Sequence, residues 1–255
     1  MELPEGTGIS LRGVSFAYPG AAQKAVDDVT LTISHGETVA VVGENGSGKS
    51  TLARLMLGLY LPDGGSVFYG KVNTKDAAAG SLFTHISAVF QKYQRYQMTL
   101  RENVGISDVG RNAGSAGLDE VCAKAGIDKS GGSFNNGYET MLSREFDGVD
   151  LSGGQWQRVA IARSFFRAHR FIVLDEPTAA IDPIEETKIY NRFAEISKGK
   201  TALIITHRLG SVKLADRILV MKNGKLVEQG THAQLMAAEG EYARLYKSQE
   251  QWYIA

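Results

Sequence analysis

Two kinds of apolar pattern alternate along this chain. In Ile9-Ser10-Leu11-Arg12-Gly13-Val14-Ser15-Phe16 and in Val29-Thr30-Leu31-Thr32-Ile33 apolar and polar residues alternate. That is the period of a strand with one buried face, and it predicts an antiparallel β layer near the N-terminus. Val39 to Val42, Phe171 to Leu174 and Ala202 to Ile205 are instead continuously apolar, as expected of parallel strands covered by helices on both faces. After Pro183, Ile189, Phe193 and Ile196 recur at i, i+4 and i+7, which predicts an amphipathic helix leading into a strand over 201–206. Ile218 to Lys222 and Lys225 to Glu228 flank Asn223-Gly224, a strong hairpin signal. Residues from about His232 to Tyr246 are predicted to be helical.

Between about Lys92 and Asp150 the pattern gives way to polar, glycine-rich and partly helical sequence, including Asn112 to Gly117 and Gly131 to Gly137. We read one domain over residues 1–255, with a helical subdomain inserted at about 92–160. Composition narrows the function. With 255 residues, 43% of them hydrophobic, the chain can bury a substantial core, which excludes a disordered class. Lys plus Arg (28) balance Asp plus Glu (28), so no overall basic field recruits nucleic acid, and none is expected as a partner. The single Cys122 permits no internal disulfide and reads as a small hydrophobe. Each continuous apolar run has four residues, far short of the roughly 20 needed to cross a bilayer. The N-terminus lacks a secretory-signal pattern, so a cytoplasmic location is expected.

Three segments carry chemistry. Gly43-Glu44-Asn45-Gly46-Ser47-Gly48-Lys49-Ser50 follows a buried strand and precedes Thr51-Leu52-Ala53-Arg54, which is the phosphate-loop pattern in its required context. The small residues let the backbone wrap phosphates, Lys49 can neutralise the β and γ phosphates, and the Ser50 hydroxyl can ligate magnesium. Gly43, Asn45, Gly46, Ser47 and Gly48, with Lys49, Ser50 and Thr51, are therefore the expected ATP contacts. Phe171 to Leu174 ends in Asp175-Glu176, two carboxylates where α/β sheets hold ligands. Asp175 suits magnesium and Glu176 suits activation of water. In Leu151-Ser152-Gly153-Gly154-Gln155 the Ser and Gln have capping-box spacing. The two glycines leave the first turn of the following helix open to an anion.

In order, the phosphate loop, Val89-Phe90-Gln91, Leu-Ser-Gly-Gly-Gln, Leu174-Asp-Glu-Pro177, Ala179-Ala-Ile-Asp182 and Thr206-His207 closely resemble the nucleotide-binding domain of ATP-binding cassette transporters, from about Ile9 to Tyr246. The resemblance implies an α/β fold: a RecA-like P-loop NTPase core, an antiparallel β subdomain and the inserted α-helical subdomain. It implies that Tyr18 stacks on adenine, that Gln91 reaches magnesium or the attacking water, and that His207 contacts the γ phosphate. It further implies that Asp182 communicates across a dimer and that Ser152, Gly153, Gly154 and Gln155 bind ATP in trans, held by a second copy or a paralogue. His35, His85, His169 and His232 lack such a context and are read as structural. Ala179-Ala-Ile departs from the commoner serine-alanine-leucine, and Arg144-Glu-Phe-Asp-Gly148 lacks the glycine-glutamate-arginine-glycine run usual in exporters, leaving Glu145 an incomplete match.

The expected activity is magnesium-dependent ATP hydrolysis that powers transport through membrane domains, fused or separate, from the cytoplasmic face of a membrane. Leu3-Pro4-Glu5-Gly6 before the first strand and Val227 to His232 resemble exporter flanks. An importer subunit and a soluble, non-transport cassette ATPase are the alternatives.

Overall fold

In the computed structural model, which describes residues 6–77, 79–128, 132–176, 183–206 and 211–254, the alternating N-terminal stretches form strands β1 (Ile9–Phe16) and β2 (Val26–Ile33). Their antiparallel register sets Ile9 opposite Ile33, Leu11 opposite Leu31 and Val14 opposite Val29, so buried apolar residues face each other across the ladder. Leu11 and Val14 are three positions apart, and a bulge absorbs the odd residue. Gly13 takes φ +58° there and donates its N–H to the Thr30 hydroxyl at 2.9 Å.

Along the chain follow β3 (Thr38–Val42), α1 (Lys49–Met56), β4 (Gly64–Tyr69), β5 (Val72–Asn73), α2 (Ala79–Phe83) and β6 (Ile86–Val89). Next come α3 (Leu100–Gly105), α4 (Ser115–Ala125), α5 (Gly153–Phe166), β7 (Phe171–Asp175) and α6 (Pro183–Ile196). The chain continues through β8 (Thr201–Ile205), β9 (Arg217–Lys222), β10 (Lys225–Gly230), α7 (His232–Ala237) and α8 (Glu241–Ile254). These elements divide into two units.

The first unit takes in the chain up to Ile86, His169–Asp175, and everything from Ser197 onward. One of its sheets has the order β2-β1-β4-β5. In the other, β3 runs parallel to both β8 and β9, and β7 runs parallel to β8. Val39 to Val42 and Ile172 to Leu174 are fully buried, which is why these strands show no alternation. The β9–β10 hairpin turns at Asn223 (φ +50°) and Gly224 (φ +78°), as the Asn-Gly signal predicts.

The helix expected over His232 to Tyr246 is instead two helices. Glu239 takes φ +51° and interrupts the first. The Glu228 carboxylate then accepts the N–H groups of Glu241 (2.5 Å) and Tyr242 (3.0 Å), capping α8. A Cβ on Gly240 would collide with that carboxylate.

Ser87–Ala168 and Glu176–Ile196 make the second unit. Here α5 packs against α3 and α4, and α4 touches α6. Ile189 and Phe193, on the amphipathic face of α6, are buried.

Candidate nucleotide site

In the first unit, buried β3 delivers the chain to Gly43, and backbone crowding dictates the glycines. Gly43 has φ +148° and Gly48 φ +102°; a Cβ at the first would strike the Met221 carbonyl, and at the second the Ala25 carbonyl. Gly48 caps α1 without a side-chain hydrogen bond, so the first-turn N–H groups of α1 face the loop as an anion cradle. Lys49, 5% exposed, donates its ammonium to the carbonyls of Gly43 (2.8 Å) and Glu44 (2.9 Å). Its charge is thereby held at the loop. Gly224 N–H braces the loop from behind by donating to the Ser47 carbonyl at 3.0 Å.

Ser50 follows on α1 and donates its hydroxyl to Asp175 Oδ1 at 3.0 Å. Asp175, 2% exposed, ends β7, so residues 125 apart meet because α1 packs over β7 and β8. A hydroxyl and a buried carboxylate at this spacing are two hard oxygen donors, the set that suits magnesium. No group of three or more His, Cys, Asp or Glu that could hold a metal occurs among the described residues. Glu176 comes next in the chain, with φ +50°. A non-glycine residue in the left-handed region costs of order 1–3 kcal/mol, and such strain clusters at functional sites.

Tyr18 is 37% exposed, with its hydroxyl 3.0 Å from the Thr51 hydroxyl and accepting from Arg54 at 3.3 Å. Phe16 and Tyr60 stack on each other at 5.2 Å, and each meets the Tyr18 ring edge to face, at 5.2 Å and 6.0 Å. The sequence singled out Tyr18 and Thr51 but not Phe16, Tyr60 or Arg54. A ring cluster assembled from β1 and the segment after α1 leaves no local pattern.

In the second unit Ser152 caps α5 and the predicted capping box is present. Gln155 N–H donates to Ser152 Oγ at 3.3 Å, and Ser152 N–H donates to Gln155 Oε1 at 2.9 Å. Gln155 Nε2 also reaches the Ser133 hydroxyl at 3.0 Å, on the wall of a cavity of about 310 Å³ lined further by Phe134 and Arg158. Gln91 is exposed. Two residues on, the Tyr93 hydroxyl donates to the Gly153 carbonyl at 2.8 Å.

A polar hub that sequence reading missed lies behind this segment. Asn103 is fully buried and donates to the carbonyls of Tyr96, Met98 and Thr99 at 3.0–3.1 Å. Arg163 of α5 donates to the Asn103 carbonyl (2.8 Å) and the Gln94 carbonyl (2.7 Å), with its guanidinium 4.7 Å from the Tyr96 ring centre. Burial pulls its pKa below the usual arginine value. His207 and Asp182 lie outside the described residues.

Residues 26–179 match the family described as ABC transporter. The chain belongs to the ABC transporter family. It is 38% identical over 244 residues to the subtilin transport ATP-binding protein SpaT of Bacillus subtilis, covering 94% of this chain and 39% of that protein. It is 36% identical over 245 residues to the nisin transport ATP-binding protein NisT of Lactococcus lactis subsp. lactis (95% and 40%). An ATP-dependent lipid A-core flippase of Aromatoleum aromaticum is 38% identical over 244 residues (94% and 40%). Among solved structures, a bacterial Atm1-family ABC exporter with ATP bound superposes with a TM-score of 0.88 at 29% identity, covering 96% of this chain and 42% of that one. The fold is thus that of an ABC nucleotide-binding domain. The chain spans about two fifths of the length of these curated relatives. Among the described residues no helix is long and apolar enough to cross a membrane.

Proposed function

We propose that this chain is the magnesium-dependent ATP-hydrolysing module of an exporter-type ABC transporter. It acts at the cytoplasmic face, driving membrane domains that are fused to it or separate. The observation that carries the reading is the 3.0 Å contact between Ser50 and Asp175 beside the Lys49 loop. It joins a phosphate-binding loop to the carboxylate-ended strand that hydrolysis requires. Export is favoured by the likeness to a solved Atm1-family ABC exporter, while the relatives are named for subtilin transport, nisin transport and lipid A-core flipping.

On this reading the loop N–H groups and Lys49 hold the β and γ phosphates and offset their charge as it builds. Ser50 and Asp175 would hold Mg2+, which supplies neutralisation of phosphate oxygens when bound. Tyr18 offers an anchored aromatic ring to the adenine. Glu176 accepts a proton from the attacking water, while Gln91 and His207 orient water and γ phosphate. Ser152, Gly153, Gly154 and Gln155 close on ATP held by a second subunit, with Asp182 at the seam. Such a head-to-tail pair of identical chains is closed and two-fold symmetric.

Phosphate release by the 255-residue chain, with and without Mg2+, tests the enzyme reading. Glu176→Gln is expected to keep ATP binding and to lower turnover about 10²–10⁴-fold, the usual contribution of a general base. Wild-type turnover in that variant would remove Glu176 from the mechanism.

A further inference from the structure

The phosphate loop is gripped by a residue 200 positions away. The Arg244 guanidinium, on α8, donates to the Glu44 carboxylate at 2.6 Å, and Glu44 is the second residue of the loop. The same Glu44 offers its backbone carbonyl to the Lys49 ammonium on the loop's other side.

Arg244 does not reach Glu44 as a loose surface side chain. Its guanidinium also donates to both oxygens of Glu241, at 2.5 Å and 3.2 Å, and Glu241 accepts from Lys222 of β9 at 2.9 Å. Lys222 follows Met221, whose carbonyl crowds Gly43. The Glu228 carboxylate fixes the start of α8 from below. Four charges, Lys222, Glu241, Arg244 and Glu44, thus alternate in sign and sum to zero beside the loop. These contacts hold the Glu241 carboxyl well below its ordinary range.

Glu44 needs this arrangement for an electrostatic reason. Its carboxylate sits on a loop whose proposed ligand is a polyanion, and like charges at such range repel. We propose that Arg244 is a positioning residue for ATP that acts through Glu44, neutralising its carboxylate beside the phosphate loop. This rests on the reading of residues 43–50 as the ATP site. Arg244 and Glu44 are 53% and 60% exposed, so the effect is modest and salt-sensitive.

The test is calorimetric titration of the 255-residue chain with ATP at low salt, with heat-unfolding midpoints as a control for folding. Arg244→Gln is expected to weaken ATP binding about two- to fivefold, the range of exposed ion pairs. Arg244→Lys keeps the charge and is expected to bind like wild type. The deciding variant combines Arg244→Gln with Glu44→Gln, and is expected to restore wild-type affinity because no uncompensated carboxylate remains. Wild-type affinity in Arg244→Gln alone would overturn the proposal. So would a double variant as weak as the single one, which would mean that Arg244 only docks α8 or attracts ATP directly. If Arg244→Gln does not fold, Glu44→Gln carries the test: equal affinity at low and high salt in wild type and weaker binding in Glu44→Gln would overturn it. Failure of the wild-type chain to bind ATP would instead refute the site reading.

Discussion

The Tyr93 hydroxyl donates to the Gly153 carbonyl at 2.8 Å, across 60 residues of sequence. Tyr93 stands two residues after Gln91, and Gly153 opens α5, the helix that Ser152 caps. The segment proposed to sense the γ phosphate is therefore bonded, within one chain, to the helix proposed to serve the neighbouring chain.

Tyr93→Phe removes that hydroxyl and keeps the ring. ATP affinity and unfolding temperature are expected to stay near wild type, while turnover falls about two- to tenfold, the scale of one net hydrogen bond. Steady-state hydrolysis paired with ATP titration checks this, and unchanged turnover would make the bond incidental.

Asn103→Ala removes a fully buried amide that bonds three carbonyls and, through Oδ1, the Arg163 guanidinium, while the carbonyls keep backbone N–H partners. Losing the bond to the buried guanidinium costs about 1–3 kcal/mol. Urea unfolding followed by far-ultraviolet circular dichroism should show that loss, and a change below the error of the measurement would mean that water replaces the amide.

Glu241 gives a pH signature. Hydrogen bonds from Arg244 and then Lys222 lower its pKa from 4.5 to about 2. A carboxyl whose folded pKa lies below its unfolded one contributes stability that is fully present above about pH 4.5 and lost as pH falls toward 2. The stability difference between wild type and Glu241→Gln should therefore shrink across that window. Unfolding midpoints measured from pH 6 down to pH 2 check it, and a pH-independent difference would contradict the shift.

What the sequence made legible follows from what each feature requires. The runs proposed to bind phosphate, Gly43 to Ser50 and Ser152 to Gln155, need consecutive backbone N–H groups and are therefore contiguous and visible as patterns. Strands covered on both faces must be apolar throughout, which exposed β3, β7 and β8. β4 gave no such signal, because it opens on Gly64-Gly65, where a Cβ on Gly65 would strike the Gly13 and Arg12 carbonyls. The break between α7 and α8 was hidden too, since the Glu228 cap comes from β10 rather than from the helical stretch itself. Arg244 with Glu44 and Tyr93 with Gly153 join distant segments and follow no local period. His207 and Asp182 were legible as motif positions, though both lie outside the described residues.

Ser152 and its helix are proposed to complete an ATP site on another copy of the chain. Mixing two inactive variants tests it most directly. Lys49→Ala disables the phosphate loop and Ser152→Arg blocks the start of α5, so neither variant alone should hydrolyse ATP. A mixed dimer would contain one site built from two intact halves, and random pairing in a two-fold dimer should restore about a quarter of the wild-type sites. Recovery of ATP hydrolysis on mixing is the predicted result; a mixture as inactive as each variant alone would contradict a shared site.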